Sequence, residues 1–127
     1  SEGVKLPSGE KISDIIHKIK HKNLLGVMLS CVSPENYEQN LDELKNLGVP
    51  FGLKLNGFVT TKPKAGYTTT FNQSKTGNPN EFLGSRDDLT PEKMSEFVKT
   101  FKEAGATILG GCCETRPAHI MEMAKLK

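Results

Sequence analysis

Two short apolar runs, each closed by cysteine and each followed within a few residues by a helix start, constrain this chain more than any other feature. Residues 24–30 lead into Cys31, and residues 106–111 lead into the pair Cys112-Cys113. A strand that passes directly into a helix, and does so repeatedly, belongs to an α/β fold whose parallel strands are joined by helical crossovers. In such folds ligands bind, and chemistry occurs, beyond the C-terminal ends of the strands. Three thiols gathered there make an incomplete tetrahedron for Zn²⁺. Structural zinc sites close around four protein ligands, whereas catalytic sites use three and keep one position open. The pattern therefore points to a metal with room for a substrate.

The rest of the chain supports that alternation. Ile12, Ile15, Ile16 and Ile19 fall on one helical face and predict a helix over residues 12–20. Lys18, Lys20, His21 and Lys22 suit its negative end, and Asn23 is the expected left-handed stop. Residues 24–30 are apolar at nearly every position, as in a strand covered on both faces. Ser33-Pro34-Glu35 offers a hydroxyl cap, a proline at the first helical position and an early acid. Tyr37, Leu41, Leu44 and Leu47 then predict one helix ended by Gly48, and a strand over 49–56 follows with Pro50 at its tolerated start.

Thr90-Pro91-Glu92 repeats the start signal, and Met94, Phe97, Val98, Phe101 and Ala104 carry that helix to Gly105. Pro117 opens the last helix, with Ile120, Met123 and Ala124 as its expected inner face. The methionines read as core filler. The order is α-β-α-β-(long loop)-α-β-α, which implies parallel strands and right-handed crossovers. The polar stretch at about 57–89 exceeds the roughly 12–15 residues of an ordinary connection. It is expected either to cover the cysteine site or to be partly disordered.

At 127 residues the chain is one domain at most. A net charge of +2, with lysines spread along the sequence, argues against a nucleic-acid partner. No apolar run approaches the ~18 residues that span a membrane, and the start Ser1-Glu2-Gly3 has no signal pattern, so no membrane partner is expected. Three cysteines without such a signal argue for a reducing compartment, and the expected location is cytoplasmic.

A lone cysteine closing a strand is ordinarily a small buried hydrophobe. The string Gly110-Gly111-Cys112-Cys113 reads differently. Neighbours in a strand face opposite ways, so both thiols reach one metal only where the strand ends and twists. Gly110 and Gly111 are expected to give the backbone that freedom.

Ile108-Leu109-Gly110-Gly111-Cys112-Cys113-Glu114-Thr115-Arg116-Pro117-Ala118-His119-Ile120 closely resembles the C-terminal signature of the zinc-dependent homocysteine S-methyltransferase family. Gly26-Val27-Met28-Leu29-Ser30-Cys31-Val32-Ser33-Pro34-Glu35-Asn36 resembles that family's upstream motif, with a strand ending in Asn56-Gly57 between the two. The resemblance covers nearly the whole chain and implies Cys31, Cys112 and Cys113 as zinc ligands. It implies a (β/α)₈ TIM barrel, which takes about 250 residues. This chain would be the C-terminal three-strand portion, with residues 1–127 forming a partial homocysteine-binding barrel domain of the last three βα units. The implied activity is transfer of a methyl group from a small donor (a sulfonium, a betaine or a methyl-folate) to homocysteine held as a zinc thiolate, giving methionine.

Two positions depart from the family pattern. Ser30 stands where Asn is usual, and Glu114 where Gly is common. Ser30, Gly111 and Glu114 are the candidate substrate-binding residues. His119 matches a family position and is expected to pack or cap, while His17 and His21 are expected to be exposed. Tyr67, in the long loop, is a candidate to approach a substrate. The barrel-facing sides of Val27, Leu29, Leu53, Leu55 and Ile108 are expected to lack partners, so self-association or the remainder of the barrel should cover them. The rival expectation is a non-catalytic zinc-binding fragment that needs those strands. A thiol redox protein is disfavoured, because no Cys-x-x-Cys pair is present.

Overall fold

Hydroxyl caps set the helix starts. Ser33 Oγ accepts the Asn36 N–H at 3.3 Å and Thr90 Oγ1 accepts the Lys93 N–H at 3.2 Å, each just ahead of a proline that has no N–H to satisfy. The computed structural model describes residues 5–6, 8–19, 22–62 and 80–127. In chain order its elements are α1 (Ile12–Lys18), β1 (Val27–Val32), α2 (Pro34–Gln39), α3 (Leu41–Lys45) and β2 (Phe51–Leu55). A 3₁₀ turn (Glu81–Leu83), α4 (Pro91–Glu103), β3 (Ile108–Gly111) and α5 (Pro117–Ala124) follow. Lys20, His21 and Tyr67 lie outside the described residues, and His17 is exposed as expected. No helix among the described residues is long and apolar enough to cross a membrane.

Three local differences from the sequence reading have identifiable causes. The helix expected from Ser33 to Gly48 is two helices, because Asn40 interrupts it. Its side-chain amide donates to the Asn36 carbonyl at 2.7 Å, and its backbone N–H bonds to Tyr37 O, three residues back. Helix α1 ends at Ile19, which leaves helical geometry at φ −80° and ψ 81°, and Asn23 does not take a left-handed angle. The inner face of α5 is His119 and Met123, while Ile120 is 46 % exposed. His119 turns inward because both ring nitrogens find backbone partners there.

The three strands form one parallel sheet in the order β1-β2-β3. Register partners point to the same side, so the pairing Leu29↔Leu53↔Leu109 defines one face and Met28↔Gly52↔Ile108 the other. On the first face Phe51, Leu53 and Leu55 join Tyr37, Leu44, Met94, Val98 and Phe101 in a single buried cluster. The Tyr37 and Phe101 rings lie 4.7 Å apart, and the Tyr37 hydroxyl donates to Gly52 O at 3.1 Å. Each such apolar side chain contributes about 1.5–3 kcal/mol on burial.

Among the described residues no helix covers the second face. Met28 and Ile108 are 42 % and 41 % exposed there, and Ser30 and Lys54 are exposed too. This corrects the assignment of barrel-facing residues. Val27, Leu29, Leu53 and Leu55 share the alternation of the helix-covered side, and only Ile108 of that set lies on the open one. A continuous apolar run carries no period from which to read the face; the pairing register supplies it.

Both described ends of the long loop are ordered against each other. Phe58 bridges Ser85 in antiparallel sense, with Val59 N–H to Gly84 O at 3.1 Å and Arg86 N–H to Gly57 O at 2.9 Å.

Candidate metal centre

Strand β1 does not stop before its cysteine, as the sequence suggested, but runs through it with one extra residue. Ser30 pairs with Lys54 and Val32 pairs with Leu55, which leaves Cys31 as an unpaired bulge at φ 57°. A bulge bends the strand and re-aims the inserted side chain. Holding a non-glycine residue in that left-handed region costs roughly 1–2 kcal/mol. The end of β2 braces it. Asn56, fully buried, accepts the Phe58 N–H at 3.1 Å through its side-chain oxygen and points its amide at Cys31 Sγ, 3.8 Å away. Sequence reasoning marked Asn56 only as a strand end. A lone amide closing an apolar strand beside the cysteine strands was the available signal.

Strand β3 ends at Gly111. The Cys112 N–H donates to Leu55 O at 2.6 Å, and the chain then turns through Cys113 and Glu114 to Thr115, whose N–H returns to Cys112 O at 3.2 Å. Glu114 takes φ 59° at the third position while Cys113 keeps a negative φ, which is the type II pattern that ordinarily calls for glycine. The left-handed angles of this site therefore sit at Cys31 and Glu114. Neither Gly110 nor Gly111 has one, so the conformational role expected of that pair is corrected. Gly111 serves space instead: a Cβ there would collide with Thr115 Oγ1 and lie 2.8 Å from Thr115 Cβ. The Thr115 hydroxyl also donates to Cys112 O and fastens the turn. Glu114→Gly is expected to raise stability by about 1 kcal/mol, read as an increase in Tm, because it removes the strain at φ 59°. An unchanged or lower Tm would mean that Glu114 makes compensating contacts.

These two ends bring all three predicted ligands together. Cys112 and Cys113 Sγ are 3.8 Å apart, and the three sulfurs lie within 4.8 Å of one another. All three cysteines are partly exposed, so the cluster is open to a ligand. Burial pushes the Cys31 thiol up to about 11, with Cys112 and Cys113 adding to the effect. Burial also raises Cys113, again with Cys112 contributing. Burial opposes ionisation of Cys112 as well. There it is outweighed by the Cys113 backbone N–H, the two neighbouring thiols and the Lys54 ammonium, so its pKa falls. Cys112 is therefore the thiol favoured to ionise first, and its charge opposes ionisation of the other two. A cation is what allows all three to ionise together.

The donor set fits zinc. Sulfurs bound at about 2.3 Å in a tetrahedron are roughly 3.8 Å apart, which is the Cys112–Cys113 separation already present. Among the described residues no fourth cysteine, histidine or carboxylate joins the cluster. His119 is 8 % exposed and fully committed. Its Nδ1 accepts the Arg116 N–H at 3.0 Å, which leaves Nε2 to donate to Leu89 O at 3.0 Å. Ser30 stands on the open face one residue before the bulge, and Glu114 is half-buried beside Gly57, whose absent side chain leaves it room.

A network missed in the sequence joins the two cysteine-bearing turns. Gly57 N–H donates to Cys113 O at 2.9 Å, and Gly57 O accepts from the Arg86 N–H. The Arg86 guanidinium reaches Glu35 at 2.8 Å and grips Asp88 with two bonds, at 2.6 and 3.1 Å. Glu35 opens the helix that follows Cys31, so the path closes from Cys113 back to the first ligand. The Arg86 hydrogen bond is the chief cause that holds the Glu35 carboxyl below its ordinary range.

The profile described as homocysteine S-methyltransferase matches residues 1–126. Among curated relatives, homocysteine S-methyltransferase 1 of Arabidopsis thaliana is 24 % identical over 125 residues, covering 98 % of this chain and 34 % of its own length. Homocysteine S-methyltransferase 3 of the same plant is 23 % identical over 126 residues, covering 98 % and 32 %. The chain thus spans about a third of the curated relatives it matches. The homocysteine methyltransferase MmuM from Escherichia coli has a similar fold in its apo form, with TM-score 0.64 and 18 % identity over 99 % of this chain and 36 % of that one. Its metallated form gives TM-score 0.65 and 18 % identity over 99 % and 33 %. With the match running over almost its entire length, this chain belongs to the homocysteine S-methyltransferase family.

Proposed function

We propose that this chain carries the zinc-thiolate half of a homocysteine S-methyltransferase and forms the last three strands of a (β/α)₈ barrel. The observation that carries the reading is the convergence of Cys31, Cys112 and Cys113, from two separate strand ends, into one three-sulfur cluster. These residues would hold Zn²⁺. A bound zinc would keep an incoming thiol deprotonated at neutral pH, and three cysteinates around it would leave that sulfur electron-rich and nucleophilic toward the methyl of a small donor.

The chain's own residues do the positioning. Asn56 and the bulge aim Cys31, the Cys112–Thr115 turn aims the pair, and the Arg86 network fixes one turn relative to the other. Ser30, Gly111 and Glu114 are proposed to border the thiol substrate, Ser30 and Glu114 through side chains and Gly111 through backbone. Alignment of attacking sulfur and methyl carbon is worth many kcal/mol in such a displacement. The expected product is methionine.

The open sheet face and the outer edges of β1 and β3 favour association with a second copy or with further barrel strands, since unpaired strand edges invite pairing. A second reading follows from the same observation: the chain is a zinc-binding module that keeps the metal geometry but does not bind donor or substrate productively. Sedimentation combined with a methionine-formation assay, run with sulfonium, betaine and methyl-folate donors, tests both. The expected result is an associating chain with little turnover by itself. A stable monomer working at ordinary enzyme rates would contradict the argument from the open face. Zinc binding without turnover, even in the assembled form, would favour the second reading.

A further inference from the structure

The open sheet face has an order of its own. Farthest from the cysteines lies the apolar row Met28↔Gly52↔Ile108; next comes Ser30↔Lys54↔Gly110; the thiols follow at the strand ends. The middle row presents a hydroxyl, an ammonium and a position with no side chain. A Cβ at Gly110 would find its nearest neighbour, Leu53 O, at an ordinary 3.6 Å. The Lys54 side chain is exposed and, among the described residues, its ammonium makes no hydrogen bond or ion pair. Its neighbour Leu55 accepts the Cys112 N–H, so the cation stands beside the cluster. We propose that Lys54 binds the carboxylate of the thiol amino acid whose sulfur enters the metal site, with Ser30 and the gap at Gly110 making room for its backbone atoms.

The assignment rests on the metal reading above. An amino-acid thiol anchored by sulfur at the strand ends carries its carboxylate only a few bonds away, and the first cation below the thiols is Lys54. No carboxylate shares its row, so the site as built favours an anion.

The test uses the cobalt-loaded chain and follows the absorbance change as a thiol joins the metal. Homocysteine is compared with its decarboxylated analogue, which keeps the thiol and the amine. Unsubstituted protein should prefer homocysteine. Lys54→Met should erase roughly five- to tenfold of that preference, and Lys54→Arg should retain most of it. Because both thiols are read on the same variant, any effect of the substitution on metal affinity cancels in the ratio. Equal binding of the two thiols by unsubstituted protein, or an unchanged ratio in Lys54→Met, would overturn the assignment. So would a loss confined to a carboxylate-bearing donor such as betaine. If neither thiol perturbs the cobalt spectrum, the metal reading itself fails, and the assignment falls with it.

Discussion

Replacing any one of Cys31, Cys112 or Cys113 with serine is expected to abolish stoichiometric zinc binding, lowering affinity by about 100-fold or more. The three sulfurs are the whole donor set among the described residues, so no other ligand takes over. Structural zinc binding of about 10–16 kcal/mol shared among four ligands assigns roughly 3 kcal/mol to each. His119→Ala should behave in the opposite way. Both ring nitrogens are spent on backbone partners, so the variant keeps its zinc while losing about 1–2 kcal/mol of folding stability. Metal analysis and thermal unfolding on the four variants separate the two outcomes. Unaltered zinc content in all three serine variants would remove the site.

Gly52→Val should cost about 3 kcal/mol or more and take the metal site with it. Gly52 sits in the central strand opposite Ile108, and a Cβ there would lie 2.5 Å from both Ile108 Cβ and Ile108 O. One of those atoms is backbone, so a rotamer change cannot relieve the contact, and β2 and β3 must separate. Their separation would stretch the Cys112 N–H to Leu55 O and Gly57 N–H to Cys113 O bonds that hold the cysteine pair against β2. Denaturant unfolding and zinc affinity should therefore fall together. A variant of unchanged stability would show that the β2–β3 register differs from the one described.

How far the sequence was legible follows from the range of each interaction. The Ser33 and Thr90 helix starts were readable because a cap is settled within four residues. The three cysteines were readable because strand ends followed by helix signals place them at one end of a parallel sheet. The bulge at Cys31 was hidden, since an extra residue exists only relative to a partner strand. The same holds for the covered face of the sheet, which Leu29 shares with Leu53 and Leu109 by register alone. Asn40 broke a helix that its apolar spacing predicted, because a side-chain amide competed locally for a backbone carbonyl. The Arg86 clasp joins residues 51 positions apart and has no local trace.

Gly111 and Glu114 show a subtler miss. The unusual backbone angle was expected at the glycines and is carried by the glutamate, while the glycine is needed for space against Thr115. Residue type alone does not distinguish a glycine kept for its angles from one kept for its size.

The central claim is that three cysteines hold zinc with one position left for a substrate thiol. X-ray absorption on the zinc-loaded chain, before and after adding homocysteine, tests it most directly. The account predicts three sulfurs and one lighter atom at first, becoming four sulfurs with the thiol present. Four protein ligands from the outset, with no change on adding homocysteine, would contradict it.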